Sequence, residues 1–321
     1  MTPLCFRTPG VPLTALALLA RLWPGSDPGE LRRRLAEGVL RRARIGPGGW
    51  RPGASLRDPD AAAEVLDQAA PDWVVHCAAT ADPDACERDP ALAQTLNAEL
   101  PGRLAAAARA RGIRLLHVST DAVFNGAVGG YGEDDQPDPI SVYGRSKLAG
   151  EQAVLAAAPT AIVARVNFYG WSLSGRRSLG EFFFNRLSAG EPVKGLTDRR
   201  SSPLLANDLA ALLLEMLEQD LSGLYHVAAA DSASKYDFAV HLAEIFGLDT
   251  NLIQAAQAAD LGYAAPRAPD LSLSTTKLVQ ALGRPTPSVH DGLQRFHQLF
   301  EAGYPARLQA MQASIQQARV G

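Results

Sequence analysis

Short apolar runs alternate with longer segments rich in Ala, Leu and Arg from residue 58 onward, and this alternation constrains the fold more than any other feature. Such a pattern is typical of βαβ units, in which each helix crosses over to a neighbouring parallel strand. It predicts strands at 73–79, 113–118 and 160–166, and helices at 60–70, 97–111 and 142–157. Three consecutive strand and helix units predict an α/β fold with a doubly wound parallel sheet.

Charge, hydropathy and cysteine content exclude several classes of protein. The 31 basic and 34 acidic residues leave a net charge of −3, which gives no basic surface for nucleic acid. The longest apolar run, 11–23, is interrupted by Arg21 and is shorter than the roughly 20 residues that cross a bilayer. Three cysteines without CxxC spacing argue against a disulfide framework or a bound metal. We therefore expect a cytoplasmic protein without a nucleic-acid or membrane partner.

Two short motifs carry hydroxyl and amino groups that can move protons. Tyr143 and Lys147 are four residues apart in a predicted helix, so both side chains lie on one face. An ammonium lowers the pKa of a nearby phenol, which can then exchange a proton with a carbonyl or an alcohol. Ser119 and Thr120 directly follow the strand 113–118, where hydroxyls also satisfy backbone groups in ordinary turns. A YxxxK pair alone is a weak signal, because it occurs by chance on many helices with a surface Tyr and a solvated Lys, but the combination with Ser119 and Thr120 favours an active site.

Seven segments between residues 58 and 298 share the pattern of one enzyme family. They are VVHCAATADPDACERDP (74–90), HVSTDAVFNG (117–126), SVYGRSKLAGE (141–151), ARVNFYGWS (164–172), SPLLANDLA (202–210), GLYHVA (223–228) and RAPDLSLSTTKL (267–278). They resemble the extended short-chain dehydrogenase/reductases, and within them the RmlD-like sugar-nucleotide reductases of the dTDP-4-dehydrorhamnose reductase type. The resemblance implies reduction of a keto group on a nucleotide-activated sugar, with NADP or NAD as cofactor.

The same resemblance implies roles for individual residues. The catalytic residues would be Thr120, Tyr143 as general acid, and Lys147, which would hold the nicotinamide ribose and lower the pKa of Tyr143. The cofactor-binding residues would be Leu56, Ala78, Ala79, Thr80, Asn97, Ser119, Tyr143, Lys147, Val166 and Phe168. The substrate-binding residues would be Thr120, Val123, Phe124, Asn167, Phe183 and Arg267. The guanidinium of Arg267 suits a diphosphate, although Arg176, Arg199 and Arg200 are equally available.

The chain divides into two parts by pattern. After residue 166 the pattern predicts helices at 179–189 and 207–219, a strand at 223–228, and a proline-containing stretch of helices and loops at 235–300. We predict a Rossmann-like dinucleotide-binding domain at 1–166, to which 201–228 returns. Residues 167–200 and 229–321 would form a smaller, mostly helical substrate lobe at the carboxyl edge of the sheet, where open α/β sheets bind ligands.

The start of the chain departs from the family pattern. A dinucleotide-binding domain opens with a glycine-rich loop whose backbone approaches the pyrophosphate. Here Pro9, Pro12 and Ala15 stand where the glycines belong, and Gly10 is out of register. Proline lacks an N–H donor, so the loop predicts weakened cofactor binding. The stretch 23–50 offers no acidic residue at a strand end, which leaves NAD against NADP open.

Three readings of function therefore stay open. The first is the reductase, and the second is a non-catalytic sugar-nucleotide or dinucleotide-binding regulatory subunit, which the altered loop favours. The third is an epimerase or dehydratase of the same superfamily, although a dehydratase should carry two carboxylates where Asp121 supplies one. We expect His76, Cys77 and Cys86 to be structural. By family analogy, helix 142–157 would pair two copies into a homodimer.

Overall fold

The structure is a computed structural model and describes residues 3–5, 61–69 and 71–320. Its strands are β1 (Pro3–Cys5), β2 (Trp73–His76), β3 (Arg114–Val118), β4 (Ile162–Val166), β5 (Phe168–Tyr169), β6 (Val193–Leu196), β7 (Arg200–Ser201), β8 (Leu204–Leu205), β9 (Gly223–Val227), β10 (Ala233–Ser234), β11 (Ile253–Ala256) and β12 (Asp270–Leu271). Its α-helices are α1 (Ala61–Ala69), α2 (Pro83–Arg88), α3 (Pro90–Gln94), α4 (Leu100–Ala110), α5 (Val142–Ala157), α6 (Leu179–Ser188), α7 (Ala206–Glu218), α8 (Lys235–Phe246), α9 (Thr276–Leu282), α10 (Val289–Glu301) and α11 (Tyr304–Val320).

Five parallel strands form the main sheet in the order β1, β2, β3, β4, β9. The interior strand β4 is buried along its whole length, as expected for a parallel strand covered on both faces. Its alternate residues belong to different cores: Val163 packs on the side of α4 and α5, and Ile162 on the side of α7 and α10. Helices thus cover both faces of the sheet, and the predicted doubly wound α/β fold is confirmed.

The described residues also form smaller sheets outside the main one. They are the three-stranded sheet β10-β7-β12 and the pairs β11-β6 and β5-β8. Strand β9 itself lies beside β4 in the main sheet. The division into a nucleotide-binding domain and a substrate lobe stays a prediction. Within the described ranges, no helix has the length and hydropathy to cross a bilayer.

The predicted elements agree with the observed ones to within a few residues, with two differences. Helix α5 has the predicted bounds. The predicted helix 97–111 instead begins earlier in the chain, as α3, a π-helical turn at Thr95–Glu99 and α4 in succession. It ends at Ala110, two residues before Gly112, whose φ is +66°. The predicted strand 73–79 ends at His76, because the chain leaves the sheet there and turns into a loop that Asn97 holds.

Candidate active site

A cavity of about 470 Å³ opens where β3 and β4 end at the carboxyl edge of the main sheet. The sheet side of the cavity is formed by Ser119, Thr120, Asp121, Ala122 and Phe124 after β3, by Val166, Asn167 and Phe168 at the end of β4, and by Ile140, Ser141 and Tyr143 at the start of α5. The outer side is formed by Lys235, Tyr263, Pro266, Arg267, Ala268 and Leu271, with Ala81 and Pro83 beside them. The cavity therefore lies at the predicted edge, between segments far apart in sequence.

Local sequence explains why Tyr143 meets Thr120. The Thr120 side chain caps the 3-10 turn Asp121–Val123, where its Oγ1 accepts a hydrogen bond from the Ala122 N–H at 3.2 Å. Ser141 caps α5 by accepting from the Gly144 N–H at 3.1 Å. A Cβ on Gly144 would lie 2.2 Å from the Ala122 carbonyl oxygen, so only glycine lets the helix start this close to the turn. The hydroxyls of Thr120 and Tyr143 consequently reach hydrogen-bonding contact.

The pKa of Tyr143 moves in the direction opposite to the one predicted. Burial raises it to about 12, the charges of Asp121 and Cys86 raise it further, and only the hydrogen bond with Thr120 lowers it. The expectation that Lys147 lowers this pKa is wrong for the structure, because desolvation of the phenol is the largest influence. The hydroxyl therefore keeps its proton at neutral pH, which is the state that a general acid needs.

Lys147 lies behind the cavity wall rather than in it. Its side chain is 1% exposed, and its Nζ donates to the Val118 carbonyl at 2.7 Å and lies 3.3 Å from His117 Nε2. Burial lowers the pKa of Lys147 to about 8, while the charges of Glu151 and Cys77 raise it. The ammonium is thus largely charged at neutral pH and loses its proton as the pH rises through about 8.

Glu151, one helical turn beyond Lys147, belongs to a separate buried network. It forms an ion pair with Arg165 at 2.8 Å, and one of its oxygens accepts from the Ser119 hydroxyl at 2.5 Å. Arg165 Nη1 lies 3.4 Å from His226 Nε2 on β9. Because all of these groups are buried and paired, the network fixes β4, β9 and α5 against the end of β3.

Asp121 is a site residue that motif reading noted only for its charge. It is buried, and its carboxylate accepts from Asn167 Nδ2 at 2.6 Å and from Thr120 Oγ1 at 3.0 Å. Burial raises its pKa to about 6, although these hydrogen bonds lower it. Asp121 therefore orients both a predicted catalytic hydroxyl and a predicted substrate residue. Its position directly after Thr120 was the available signal.

The predicted cofactor residues divide into two groups. Ser119, Tyr143, Val166 and Phe168 line the cavity. Ala78, Ala79 and Thr80 follow β2 at the same edge of the sheet without lining the cavity, and Lys147 lies behind it. Leu56 and the loop with Pro9, Pro12 and Ala15 lie outside the described residues.

Asn97 has a structural contact where a cofactor contact was predicted. Its Oδ1 accepts from the Thr80 N–H at 2.8 Å, and its Nδ2 donates to the Thr80 carbonyl at 3.1 Å and to Ser146 Oγ at 3.0 Å. Helix α5 approaches closely here, since a Cβ on Gly150 would lie 2.1 Å from the Asn97 carbonyl oxygen. Asn97 is fully buried and holds the loop after β2 against α5, so its side chain is already committed to protein partners.

The predicted substrate residues are only partly brought together. Thr120, Phe124, Asn167 and Arg267 line the cavity, whereas Val123 and Phe183 do not. Val123 is fully buried against Phe124 and Tyr131 in a small core. Phe183 lies on the buried face of α6, where it packs against Phe238, while its neighbour Phe182 is 48% exposed. Both predictions are corrected, because these side chains point into cores rather than into the cavity.

Among the four arginines considered for a diphosphate, only Arg267 lines the cavity. Its guanidinium lies 4.6 Å from the centre of the Tyr263 ring and donates to Asp84 Oδ1 at 3.0 Å. Arg199 and Arg200 form ion pairs with Asp198 and Asp237, and Arg176 is exposed.

Lys235 is a second cation of the outer wall, and sequence reasoning missed it. It begins α8, after Ser234 caps that helix. Burial lowers its pKa, as do the positive charges of Arg267 and Arg199. Among the described residues, no hydrogen bond or ion pair engages its ammonium, so its charge is available to a ligand. No local motif marks this lysine, since only the fold brings it to the cavity.

A parallel sheet with this proton-moving set at its carboxyl edge defines the extended short-chain dehydrogenase/reductase class. Residues 29–301 match the model of the RmlD substrate binding domain, and the chain belongs to that family. The dTDP-4-dehydrorhamnose reductase of Mycobacterium tuberculosis is 37% identical over 73% of this chain and 78% of that protein. Methionine adenosyltransferase 2 subunit beta of Danio rerio is 32% identical over 75% and 78%.

A solved structure agrees with these sequence similarities. The dTDP-4-dehydrorhamnose reductase of Bacillus anthracis, solved in complex with NADP, superposes with a TM-score of 0.71 and 27% sequence identity. The match covers 75% of this chain and 85% of that one. The predicted family and the predicted class of enzyme, an oxidoreductase, are confirmed.

Proposed function

We propose that the chain is an NAD(P)H-dependent reductase that reduces a keto group on a nucleotide-activated sugar. The observation that carries the proposal is the cavity itself, in which the hydroxyls of Thr120 and Tyr143 face two cations of the outer wall, Lys235 and Arg267. The first pair can serve a carbonyl undergoing reduction, and the second pair can serve a phosphate group. A keto sugar linked to a diphosphate carries both groups.

The residues at the sheet edge fit a nicotinamide cofactor. Bound there, a reduced nicotinamide would supply the hydride. Val166 and Phe168 line the cavity beside Tyr143, so they would cover the nicotinamide ring. The Lys147 ammonium has three donors, of which Val118 and His117 engage two, and the third would hold the ribose. The backbone of Ala78, Ala79 and Thr80 would border the rest of the cofactor.

Tyr143 would supply the proton. Its hydroxyl is protonated at neutral pH because burial raises its pKa to about 12. Reduction of a carbonyl leaves an alkoxide, which is a stronger base than a phenolate, so the proton transfer is favourable despite this high pKa. Thr120 lies beside Tyr143, and its one hydrogen, which the Asp121 carboxylate accepts at 3.0 Å in the structure, would turn to the same oxygen when substrate binds. Asn167 would fix the carboxylate of Asp121 from the β4 side.

The outer wall would bind the nucleotide part of the substrate. Arg267 is a planar donor that matches phosphate oxygens, and Lys235 adds a point charge. Tyr263 is an exposed aromatic residue of this wall, and the face of its ring that Arg267 leaves open offers a stacking surface to a base. The side chains of this wall would determine which sugar and which base are bound.

The experiment is a product assay. Purified protein is incubated with NADH or NADPH and a set of nucleotide-linked keto sugars, and the products are analysed by mass spectrometry. Reduction adds two hydrogen atoms to the sugar and consumes one equivalent of cofactor, whereas epimerisation leaves the mass unchanged. The Tyr143→Phe variant is the control. The absence of a reduced sugar in every combination, with protein that binds the cofactor, would rule out the reductase.

A regulatory binding role is the second candidate, favoured by the similarity to methionine adenosyltransferase 2 subunit beta. A regulatory subunit would bind nucleotide without turnover. Titration by calorimetry with NADH and NADPH, beside the product assay, separates the two roles. If Pro9 and Pro12 occupy the phosphate loop, as the sequence register predicts, we expect weak cofactor binding that a glycine-rich replacement of residues 8–15 strengthens.

We place the reductase in the cytoplasm, where the free thiols of Cys77 and Cys86 would stay reduced. A homodimer formed through α5 also stays a prediction. Helix α5 packs one face against α4 in the described part of the chain, and Arg145 and Gln152 are exposed on it. Sedimentation of the wild type and of an Arg145→Glu variant would test the pairing, since an introduced opposite charge at a self-complementary interface weakens it.

A further inference from the structure

Three buried nitrogen-bearing side chains stand in a row behind the active site. Lys147 Nζ lies 3.3 Å from His117 Nε2, and His117 Nδ1 lies 2.8 Å from His76 Nδ1. Each of the three residues is 1% exposed. The two imidazoles come from neighbouring strands, since His76 and His117 are paired in the register of β2 and β3, and their ring planes lie within 21° of parallel with the centroids 5.0 Å apart.

Hydrogen-bond chemistry fixes which nitrogen carries each proton. An ammonium can only donate, so His117 Nε2 must be the acceptor and its ring hydrogen must be on Nδ1. That Nδ1–H points at His76 Nδ1, which must therefore accept and carry its own hydrogen on Nε2. Burial and the charge of Lys147 lower the pKa of both histidines, that of His76 to about 3. Both rings are thus neutral, as this assignment requires.

The other groups around the Lys147 ammonium restrict the orientation of its N–H bonds. The Val118 carbonyl accepts one hydrogen at 2.7 Å, and His117 accepts another. Glu151 and Cys77 act on Lys147 only through their charge, because the Glu151 carboxylate is engaged by Arg165 and Ser119. With two of three hydrogens engaged, the direction of the third is determined.

We propose that His117 is a positioning residue that fixes the direction of the Lys147 ammonium, and that His76 holds His117 in the tautomer this requires. The proposal rests on the proposed function, in which the third hydrogen of Lys147 holds the cofactor ribose. Without His117, the ammonium could turn toward other acceptors and would lose part of the stabilisation of its charged form. The histidine pair therefore sets both the geometry and the protonation of the residue that binds the cofactor.

The first test reads the tautomers directly and requires no activity. Long-range ¹H–¹⁵N correlation spectra of protein labelled at its six histidines distinguish Nδ1–H from Nε2–H rings. His76→Gln and His117→Gln variants assign the signals. We expect His117 as the Nδ1–H form and His76 as the Nε2–H form, both neutral between about pH 6 and 8. An Nε2–H form of His117, or a charged ring at either position, would overturn the proposal.

The second test measures NADPH affinity against pH in two variants. His117→Leu removes the acceptor, whereas His117→Gln places an amide oxygen near the former Nε2. We expect the leucine variant to bind NADPH about tenfold more weakly, as for the loss of a hydrogen bond to a charged group, and to lose affinity at lower pH than the wild type. The glutamine variant should restore most of the NADPH affinity and most of the wild-type pH dependence. His241→Leu, on the exposed face of α8, is the matched control.

The outcomes separate this proposal from the proposed function. A merely structural His117 would lower Tm in both variants without moving the pH dependence of NADPH binding, and glutamine would not rescue it. Protein that binds NADPH with the expected pH shift but reduces no sugar would keep the role of His117 and exclude the reductase. If His117→Leu does not fold, the tautomers of the wild-type histidines and the NADPH affinity of His117→Gln still test the proposal.

Discussion

The two walls of the active-site cavity are built in different ways. The sheet wall consists of the lining residues after β3, at the end of β4 and at the start of α5, and hydrogen bonds of 2.5 to 3.2 Å tie it to backbone and buried side chains. None of the residues that line the outer wall is buried, whereas six of those in the sheet wall are, although Ile140 and Phe168 of the sheet wall are exposed. The outer wall is lined by Lys235, Tyr263, Pro266, Arg267, Ala268 and Leu271. Helix α2 connects the two walls, because its Asp84 accepts from Arg267 and the Ala265 N–H while its Glu87 accepts from the Val142 N–H at the start of α5. If the proposed function holds, we expect the sheet wall to perform the chemistry and the outer wall to set the affinity for the substrate.

Rigidity of the sheet wall comes from close packing that small residues permit. Gly144 and Gly150 let α5 touch the turn after Thr120 and the π-helical turn around Asn97. The buried ion pair of Glu151 with Arg165 then fixes α5 to β4. Substitutions at reacting groups of this wall should therefore change kcat, whereas substitutions in the outer wall should change KM.

The largest effect is expected for Tyr143→Phe. Removing the hydroxyl deletes the proposed general acid, and we expect kcat to fall by about two orders of magnitude or more. KM and Tm should stay near the wild-type values, because the ring still fills its place. Steady-state kinetics and thermal denaturation check this, with Tyr236→Phe in α8 as the control. Full activity of Tyr143→Phe would show that Tyr143 does not supply the proton.

Lys147→Met should have the next largest effect, mainly on the cofactor. Burial lowers the pKa of Lys147 to about 8, so its charge is present below that pH and is lost above it. We expect kcat/KM for NADPH in the wild type to fall above about pH 8, and the methionine variant to lack this limb while binding NADPH about 10- to 100-fold more weakly. A pH profile of kcat/KM measures both effects. An alkaline limb that persists in Lys147→Met would assign it to another group.

Much of the sheet wall could be predicted from sequence because its signals are local. The spacing of Tyr143 and Lys147 and the cap at Ser141 define one helix, and the observed bounds of α5 match the prediction. The hydroxyl of Thr120 follows a strand that alternation alone identifies. Parallel strands then bring their carboxyl ends to one edge, so the position of the cavity could also be predicted.

Side-chain direction and solvation could not be predicted in the same way. Phe182, Phe183 and Phe184 are consecutive on α6, and only packing shows that Phe183 faces the core. The pKa of Tyr143 depends on how deeply the fold buries it, which spacing to Lys147 does not reveal. Lys235 reaches the cavity through long-range pairing of β10 with β7, so no nearby motif marks it.

Lys235→Met tests the outer wall. Loss of one charged hydrogen bond to a phosphate costs about 1.5–3 kcal/mol, so we expect KM for the nucleotide sugar to rise about tenfold or more. Because the lysine is proposed to bind the substrate away from the reacting oxygen, kcat should change little. Lys235→Arg should retain most of the affinity. The sharper measurement is calorimetry with a nucleoside diphosphate and the bare nucleoside, since only the first should lose affinity in Lys235→Met.

The smallest effect is expected where the walls meet, at Asp84. The Asp84→Ala substitution removes the carboxylate and frees Arg267 for a phosphate. It also breaks the hydrogen bond from the Ala265 N–H, which is the largest of the interactions that lower the pKa of Asp84. The two consequences oppose each other, and partly exposed ion pairs contribute about 0–1 kcal/mol, so we expect KM for the nucleotide sugar to change by about threefold or less. Asp84→Asn keeps an acceptor for Ala265 while weakening the hold on Arg267, so it should bind substrate somewhat more tightly than Asp84→Ala. A tenfold or larger rise in KM for both variants would mean that substrate affinity depends on the connection between the two walls, and that the outer wall does not set it alone.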